Sequence, residues 1–303
     1  MSNPEFLAEG TALSNFREPD RVVVGAFAEP DGERVAALYE PLGAPLVRTD
    51  VASAEMIKLA SNAALATRIS FINEIANVCE LVGADIAEVA RGVGLDHRVG
   101  PHFLKAGIGY GGPCFPKDAS ALKQLAANSG YHFQLLAAVI EVNELQKRRL
   151  LQKLRTHLGD LRGRTVSLLG LAFKPHTNDM REAPSLVLGS SLLAEGALVR
   201  VWDPVALEKG RELLEGVEFA ETLPEAVEDA DAAVVVTEWP ELARLASPNV
   251  REAMRTPLIV DGRNMLDPAL ARAAGFTYEG IGRSAPVVPE PLQADVPAQG
   301  LPA

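Results

Sequence analysis

The chain has 303 residues, and its 29 Lys and Arg against 40 Asp and Glu give a formal net charge of -11 at pH 7. This acidity argues against nucleic-acid binding, and no apolar run approaches the ~18 residues that a membrane span needs. The length predicts about two globular domains. The N-terminal residues lack the basic and apolar regions of a signal peptide, so we expect a cytoplasmic protein without a membrane partner. Two cysteines are too few for a disulfide framework.

Residues 1–49 contain a predicted strand–helix–strand unit. Arg21 to Phe27 read as a strand, Asp31 to Leu42 as a helix that stops at Gly43, and Pro45 to Thr49 as a second strand. A parallel sheet needs more strands and cover on both faces. We therefore interpret this unit as the last part of a larger α/β domain.

Residues 50–158 are predicted to form an all-helical central domain. A long helix begins at Asp50 and is closed by Gly83, and a second helical stretch runs from about Phe133 to Leu158. Between them, the glycine-rich residues 107–112 precede a short helix that opens near Pro116. We expect this domain to pair with a second copy of itself.

Residues 159–283 alternate between strands and helices, which predicts a parallel, doubly wound sheet. The predicted strands are Thr165–Leu169, Val199–Trp202, Ala232–Val236 and Leu258–Val260, with a helix at Pro184–Glu195. The last segment, 284–303, has five prolines and no periodicity, so we predict a disordered tail.

The two cysteines differ in their surroundings. Cys79 lies at an apolar helix position, which is typical of a small core residue. Cys114 follows a glycine run and precedes Pro116, a good first-turn residue, so its sulfur should lie near unpaired helix N–H groups that favour a thiolate. Lys117 adds a positive charge nearby. We therefore predict that Cys114 is a nucleophile.

The glycine run GIGYGG at 107–112 matches the dinucleotide pattern G-x-G-x-x-G by letters alone. That pattern requires a preceding strand and a following helix, whereas here Pro113 intervenes and His102 to Lys105 is no strand. We interpret these glycines as letting the backbone approach a ligand closely.

A polar stripe lies along the long helix. It contains Lys58, Asn62, Asn73 and Asn77, which share nearly one face. A buried polar site and a solvated outer face are both compatible with this pattern, although a solvated face usually carries more Glu, Lys and Arg.

Charged residues recur at two other places. Glu5 and Glu9 stand four apart in NPEFLAEG, a weak signal because paired surface glutamates are common. Lys174 and Arg181 follow the first strand of the last sheet, and Arg263 follows a later one. Ligands bind at the carboxyl ends of such strands, so these cations suit a diphosphate, with ordinary surface charge as the alternative.

Several segments together resemble the UDP-glucose/GDP-mannose dehydrogenase family, and within it the UDP-glucose 6-dehydrogenases. They are SNPEFLAEG, EMIKLASNA, HRVGPHFLKAGIGYGGPCFPKD, LLGLAFKPHTNDMREAPS and VDGRN, in the family's order. The resemblance implies an α/β fold with three parts: the end of an N-terminal Rossmann NAD-binding domain at 1–49, a helical dimerisation domain at 50–158, and a Rossmann-like UDP-sugar-binding domain at 159–283.

The resemblance also implies a reaction. The family oxidises the sugar C6 alcohol to a carboxylate in two hydride transfers to NAD, through a thiohemiacetal and a thioester on one cysteine. Cys114 matches that cysteine. By motif, Lys58 with Asn62 would stabilise the oxyanion, Asp118 would position or activate water, and Glu5 would assist thioester hydrolysis.

The resemblance also implies which residues contact the substrate and the cofactor, by their match to the family's motifs. The implied UDP-glucose contacts are Phe6, Leu7, Lys58, Arg98, Phe103, Leu104, Lys105, Ala106, Gly107, Gly111, Phe173, Lys174 and Arg263, and Arg98 would reach the site of a neighbouring subunit. The implied NAD contacts are Glu9, Lys117 and Arg181. No metal site is implied, and the expected partner is a second copy in a homodimer.

Two departures from the family pattern stand out. Pro113 occupies the position where the family usually has Ser, which stiffens the approach to Cys114. The family's G-x-G-x-x-G should precede Ser2, so we expect this chain alone to be inactive. The alternatives are a dehydrogenase of GDP-mannose or of a UDP-N-acetyl sugar, or a non-catalytic nucleotide-sugar-binding or dimerising fragment. Phe115 favours UDP-glucose over GDP-mannose.

Overall fold

A computed structural model describes residues 1–283, so the tail predicted to be disordered at 284–303 lies outside the described residues. The fold class is α/β with parallel sheets, which confirms the prediction. Among residues 1–283, no helix is both long and apolar enough to cross a lipid bilayer.

The N-terminal unit is a small parallel sheet with helical cover. Its elements are α1 (Ala12–Arg17), β1 (Val22–Gly25), α2 (Glu29–Tyr39), a 3-10 turn (Glu40–Leu42) and β2 (Leu46–Thr49). Val22 pairs with Leu46, and Gly25 pairs with Thr49. The first strand is shorter than predicted because Ala28 already caps α2, whose first turn contains a proline. The α1 helix was not predicted, and it buries no residue.

The central helices are α3 (Val51–Val82), α4 (Ile86–Gly94), α5 (Phe115–Asn128), α6 (Gln134–Gln146) and α7 (Arg149–Leu158). The Asp50 side chain caps α3 by accepting from the Ser53 N–H at 2.8 Å, and Gly83 ends it with φ 75°. The sequence predicts a single helix over 133–158. This prediction is wrong, because the helix is interrupted at Lys147 and Arg148, between α6 and α7. The break lets α6 pack on α3 while α7 packs on the terminal sheet.

The terminal unit is a six-stranded parallel sheet with strand order β5-β4-β3-β6-β7-β8. Its strands are β3 (Thr165–Leu169), β4 (Leu198–Trp202), β5 (Glu218–Phe219), β6 (Ala232–Val235), β7 (Leu258–Asp261) and β8 (Thr277–Gly280). Its helices are α8 (Pro184–Ala194), α9 (Leu207–Leu213), α10 (Leu223–Val227), a 3-10 helix (Pro240–Arg244), α11 (Pro248–Ala253) and α12 (Pro268–Ala273). The edge strands β5 and β8 were not predicted, because neither has a clear apolar run.

The strand order reverses between β3 and β6, which creates the switch point where ligands bind in such sheets. The main apolar core joins this sheet to the C-terminal half of α3, and it includes Cys79, as predicted for a core residue. A second core packs α3 against α5 and α6. The long helix α3 therefore connects the helical unit to the switch-point edge.

Candidate active site

Cys114 occupies the N-cap position of α5, a 14-residue helix, and it is exposed. Pro116 lies in the first turn, and the Asp118 N–H donates to the Cys114 carbonyl at 2.9 Å. The thiol therefore sits at a helix N-terminus, as the sequence predicts, with solvent and a substrate able to reach it.

Asp118 lies beneath that helix end with both carboxylate oxygens engaged. Its side chain is buried, its Oδ2 accepts from Asn62 Nδ2 at 2.5 Å, and its Oδ1 accepts from Lys117 Nζ. The hydrogen bond to Asp118 raises the pKa of Lys117, and the nearby charges of Cys114 and Glu5 add to that effect. Lys117 is therefore a fixed cation close to the thiol.

Cys114, Lys117 and Asp118 form what we call the Cys114 cluster. Lys58 and Asn62 stand one turn apart on α3 and face it. Lys58 Nζ lies 3.2 Å from Glu5 Oε1, and the exposed fractions of the two side chains are 18% and 56%. Asn62 is only 7% exposed, and Asn73 further along the stripe is fully buried. Of the two alternatives for the polar stripe, the buried polar site is the one observed. Glu5, Lys58, Asn62, Asp118 and Cys114 are thus brought together by three separate parts of the chain.

This arrangement combines the groups that acyl chemistry needs. It has an exposed thiol, an ammonium group that could face a developing oxyanion, and an exposed carboxylate that water can reach. Glu5 also accepts the Leu7 N–H at 2.7 Å, which fixes the carboxylate relative to its own loop.

The 107–112 glycines pack against protein on the side where a Cβ would lie, and the contact of their backbone with a ligand stays a prediction. A Cβ added at Gly111 would lie 2.2 Å from the Glu182 carbonyl oxygen, and one at Gly107 would lie 2.8 Å from the Gly262 carbonyl oxygen. Gly112 has φ 82° and faces the Phe173 ring. These glycines let the loop fit between the helical unit and the terminal sheet.

The preceding segment presents one aromatic side chain outward. Phe103 is 41% exposed with φ 60°, and its ring centroid lies 6.3 Å from that of Phe115, next to Cys114. Leu104 and Ala106 are buried, whereas Lys105 is exposed. Of the predicted contacts in this segment, Phe103 and Lys105 therefore offer accessible side chains.

Arg263 and Lys174, the predicted diphosphate contacts, lie at the switch-point edge, but some of their N–H groups already donate to other groups of the protein. Arg263 donates to the carbonyls of Val236 at 2.7 Å, Gly109 at 3.1 Å and Phe173 at 3.2 Å. A guanidinium has five N–H groups, so only part of this donor set remains for an anion. Lys174 Nζ donates to the Glu9 carbonyl and lies 5.2 Å from the Phe173 ring centroid.

The N-terminal loop crosses between these two regions. Phe6 packs under the Arg21 guanidinium at 3.8 Å and lies 5.5 Å from Lys58 Nζ, and Leu7 is exposed. At the other end, the Glu9 carboxylate accepts from the Thr177 hydroxyl. The loop therefore spans from the Cys114 cluster to the sheet edge. Arg98 is exposed and pairs with Asp96 at 2.6 Å, and among residues 1–283 no contact brings it to the site.

The predicted NAD contacts fit a dinucleotide only in part. Lys117 and Arg181 are exposed cations near Cys114, and both suit an anionic ligand. Arg181 pairs with Asp179, and this hydrogen bond raises the pKa of Arg181. Within residues 1–283, however, no glycine turn links a strand to a helix that could hold a pyrophosphate. The first turn of α2 is acidic, which disfavours an anion there.

Sequence reasoning missed several polar residues that shape the site. Asn143 and Gln146 of α6 bond to the backbone of the glycine loop, and Asp203 after β4 bonds to the backbone that precedes Phe173. The signal available was the spacing of Asn143 and Gln146, two amides one turn apart on the buried side of a helix whose other buried residues are apolar.

Three sequence models of one family match the chain. They describe the NAD binding domain of the UDP-glucose/GDP-mannose dehydrogenase family at residues 1–43, its central domain at 52–145 and its UDP binding domain at 167–268. The chain belongs to the UDP-glucose/GDP-mannose dehydrogenase family. The resemblance seen in the motifs is thereby confirmed.

Individual relatives agree with this assignment. The chain is 48% identical to UDP-glucose 6-dehydrogenase TuaD of Bacillus subtilis, over 100% of this chain and 65% of that relative. It is 49% identical to the UDP-glucose 6-dehydrogenase of Pseudomonas aeruginosa, over 93% of this chain and 64% of that relative. The chain thus spans slightly less than two thirds of the length of these relatives.

Solved structures show the same fold. A UDP-glucose dehydrogenase from the archaeon Pyrobaculum islandicum superimposes with TM-score 0.85 at 39% identity, over 93% of this chain and 63% of that chain. A UDP-D-ManNAc dehydrogenase from Pyrococcus horikoshii gives TM-score 0.80 at 27% identity, over 93% of this chain and 64% of that chain.

Proposed function

We propose that this chain carries the sugar-oxidising and nucleotide-sugar-binding parts of an NAD-dependent UDP-glucose 6-dehydrogenase. The observation that carries this proposal is the exposed Cys114 thiol at the start of α5, above the buried Asp118 carboxylate that Asn62 and Lys117 hold. Family membership supplies the reaction class.

In this reaction the C6 alcohol of UDP-glucose first loses a hydride and its hydroxyl proton, which gives an aldehyde, and a second oxidation follows. NAD, when bound, would supply the hydride acceptor, one molecule for each oxidation. The Cys114 sulfur adds to the intermediate aldehyde and the carbonyl oxygen takes up a proton, which gives a thiohemiacetal. Loss of the second hydride and of the hydroxyl proton leaves a thioester. Water then attacks, releases the carboxylate and restores the thiol.

The other residues act on charge and water. The Lys58 ammonium stabilises negative charge on the sugar oxygen, and Asn62 beside it keeps Asp118 in place. Glu5 is exposed and can accept a proton from the attacking water. Lys117 and Arg181 would hold the anionic part of NAD.

The nucleotide part of the substrate binds at the sheet edge beside Phe173, Lys174 and the remaining Arg263 donors. A diphosphate there competes with the Glu9 carbonyl for Lys174. Substrate binding should therefore loosen the N-terminal loop at Glu9.

Calorimetry on the purified chain tests the substrate class. UDP-glucose should bind more tightly than GDP-mannose or a UDP-N-acetyl sugar, and Lys174→Ala should weaken binding by about tenfold through loss of one charged contact. Lys209→Ala, which removes a lysine that pairs with Glu212 on α9, is the matched control and should bind normally. Preference for GDP-mannose would contradict the substrate, and absence of nucleotide-sugar binding would contradict the function.

NADH formation tests the oxidation itself. Residues 1–283 hold no pyrophosphate turn, so the chain assayed alone with NAD and UDP-glucose should turn over little. Turnover at the rates of ordinary enzymes, about 1 per second or faster, would mean that the cofactor is held by another surface. In that case Cys114→Ala should abolish NADH formation.

We also propose that the chain forms a homodimer through the exposed apolar side of α3. Ala60, Ala64, Phe71, Val78 and Val82 recur at helical spacing on one face, and the last three are 52%, 52% and 70% exposed. Such a stripe is typical of a self-complementary interface.

Light scattering on the eluting protein tests the dimer. Phe71→Glu should convert a dimer to a monomer, because it places a charge in an apolar contact. Phe27→Glu is the control, since Phe27 is 90% exposed and lies outside the stripe. A monomeric wild-type chain, or a dimer that survives Phe71→Glu, would contradict this interface.

A further inference from the structure

The loop that leads to Cys114 is held by a buried side-chain amide. Asn143 of α6 is only 2% exposed, its Oδ1 accepts the Tyr110 N–H at 2.8 Å, and its Nδ2 donates to the Tyr110 carbonyl at 3.0 Å. The amide therefore pairs with both backbone groups of one loop residue, as a neighbouring strand would.

Two more amides fix the start of the same loop. Gln146 Nε2 donates to the Gly107 carbonyl at 2.8 Å, and Asn73 Oδ1 accepts the Gly107 N–H at 2.9 Å. Gly109, between the two fixed residues, has φ 95°, and a Cβ there would lie 2.7 Å from Asn143 Oδ1. Glycine is thus needed at 109 so that the loop can approach Asn143.

The fixed loop is connected to the reactive helix end by aromatic packing. The Tyr110 ring lies edge-on to the Phe115 ring at 5.8 Å between centroids, and Phe115 directly follows Cys114. Tyr110 is itself buried, and burial together with the charge of Glu144 raises its pKa to about 12. Its ring is therefore neutral at working pH and acts here by packing.

We propose that Asn143 is a positioning residue: by pairing with Tyr110 it sets the place of the Cys114 thiol over the Asp118 carboxylate. This deepens and rests on the proposed function, because the thiol must meet the sugar carbon while Asp118 and Lys58 stay in reach. A shift of about 1 Å in such a site is enough to cost most of the rate.

Asn143→Asp is the sharpest variant, because aspartate has the same shape and keeps one acceptor. When ionised, it replaces the Nδ2 donor with an oxygen that faces the Tyr110 carbonyl. When protonated, its O–H can donate in place of the lost N–H. Burial raises the pKa of a carboxyl group above the usual aspartate value of about 4, so at this buried position it should be ionised at pH 8 and protonated at pH 5. The effect should therefore appear at pH 8 and be reversed at pH 5, which a purely structural defect on α6 would not do.

Hydrogen exchange of the 107–114 peptide measures loop order without any ligand. Relative to wild type at the same pH, Asn143→Asp should lower protection of this peptide by about tenfold at pH 8, the loss expected for one buried hydrogen bond. It should return to within about twofold at pH 5. Leu136→Ala, a buried truncation on the same helix that removes no hydrogen bond to the loop, should destabilise the chain but leave this peptide protected.

Alkylation of Cys114 in the presence of saturating UDP-glucose connects loop order to the site. In wild type, bound UDP-glucose should slow the alkylation of Cys114 strongly. In Asn143→Asp at pH 8 this slowing should be about tenfold weaker, even when calorimetry shows that the site is fully occupied. Unchanged exchange and shielding in Asn143→Asp would overturn the proposal, as would an equal loss in Leu136→Ala. If the wild-type chain bound no UDP-glucose, the proposed function would fail, and the exchange data would still decide the role of Asn143.

Discussion

Asp203 offers a direct test of how the sheet edge is shaped. It follows β4 and is fully buried, and its two oxygens accept N–H groups from two loops and one indole. Oδ2 accepts from Leu171 N at 2.7 Å, Ala172 N at 3.1 Å and Trp239 Nε1 at 3.0 Å. Oδ1 accepts from Val205 N at 2.9 Å and Ala206 N at 2.8 Å.

Asp203→Asn changes one oxygen into an NH₂ group and leaves the volume unchanged. In the less harmful orientation the new NH₂ faces Val205 and Ala206, so the buried Ala206 N–H and the half-buried Val205 N–H lose their acceptor. An unsatisfied buried donor costs about 1–3 kcal/mol, and a half-buried donor costs less because water can reach it. The loss in the free energy of unfolding should therefore be about 1–4 kcal/mol, and the opposite orientation, which leaves the three N–H groups on Oδ2 without an acceptor, costs more.

Chemical denaturation followed by tryptophan fluorescence measures this loss, because Trp239 donates to the altered carboxylate. Asp85→Asn is the matched control: Asp85 caps α4 at the surface, and asparagine caps equally well, so its change should stay below about 0.5 kcal/mol. A loss below about 1 kcal/mol in Asp203→Asn would refute the reasoning, since it would mean that the loops do not depend on these bonds.

Three further outcomes are expected. Iodoacetamide at neutral pH should modify Cys114 much faster than Cys79, because burial raises the pKa of the Cys79 thiol and blocks access to it. Peptide mapping that shows faster modification of Cys79 would exclude Cys114 as nucleophile. Asp118→Asn should change the free energy of unfolding by less than about 1 kcal/mol, because an asparagine oxygen can still accept from Asn62. It should also change the rate of Cys114 alkylation by iodoacetamide, because the carboxylate that holds Lys117 beside the thiol is replaced by an amide; an unchanged rate would contradict a role of Asp118 at the thiol. Burial alone would raise the pKa of Glu80, but hydrogen bonds, first among them that from Lys153, lower it. The stabilising contribution of the Glu80 carboxylate is therefore lost as the pH falls below about 4. Glu80→Gln should flatten the acid side of the plot of the free energy of unfolding against pH.

Local signals predicted the elements that position Cys114. Asp50 and Gly83 bound α3 because a capping carboxylate and a left-handed glycine act on the residues next to them. The strand Thr165–Leu169 has the predicted bounds because its residues are short or apolar and all buried, and Arg164 and Gly170 flank it. Cys114 was placed at a helix start by its neighbours alone.

The supports of the loop could not be predicted in this way. Asn143 lies 33 residues from Tyr110, so their pairing depends on how α6 packs on α3. The glycines at 107–112 gave a clear signal of close approach, but the sequence does not say what is approached. On the side where a Cβ would lie, Gly107 and Gly111 face backbone carbonyls, while Gly109 and Gly112 face the Asn143 and Phe173 side chains. A ligand contact through the backbone of this loop stays a prediction.

The cations at the sheet edge could be predicted from the sequence only in part. Lys174 and Arg263 were recognised by their charge and their place after strands, and both lie at the predicted edge. Their partners are largely backbone carbonyls, those of Glu9, Val236, Gly109 and Phe173. Every residue carries a carbonyl, so no pattern of residue types marks which ones will meet a guanidinium. Free and occupied donors can therefore be told apart only in the folded chain, and the anion affinity of this edge depends on how many donors the protein leaves unused.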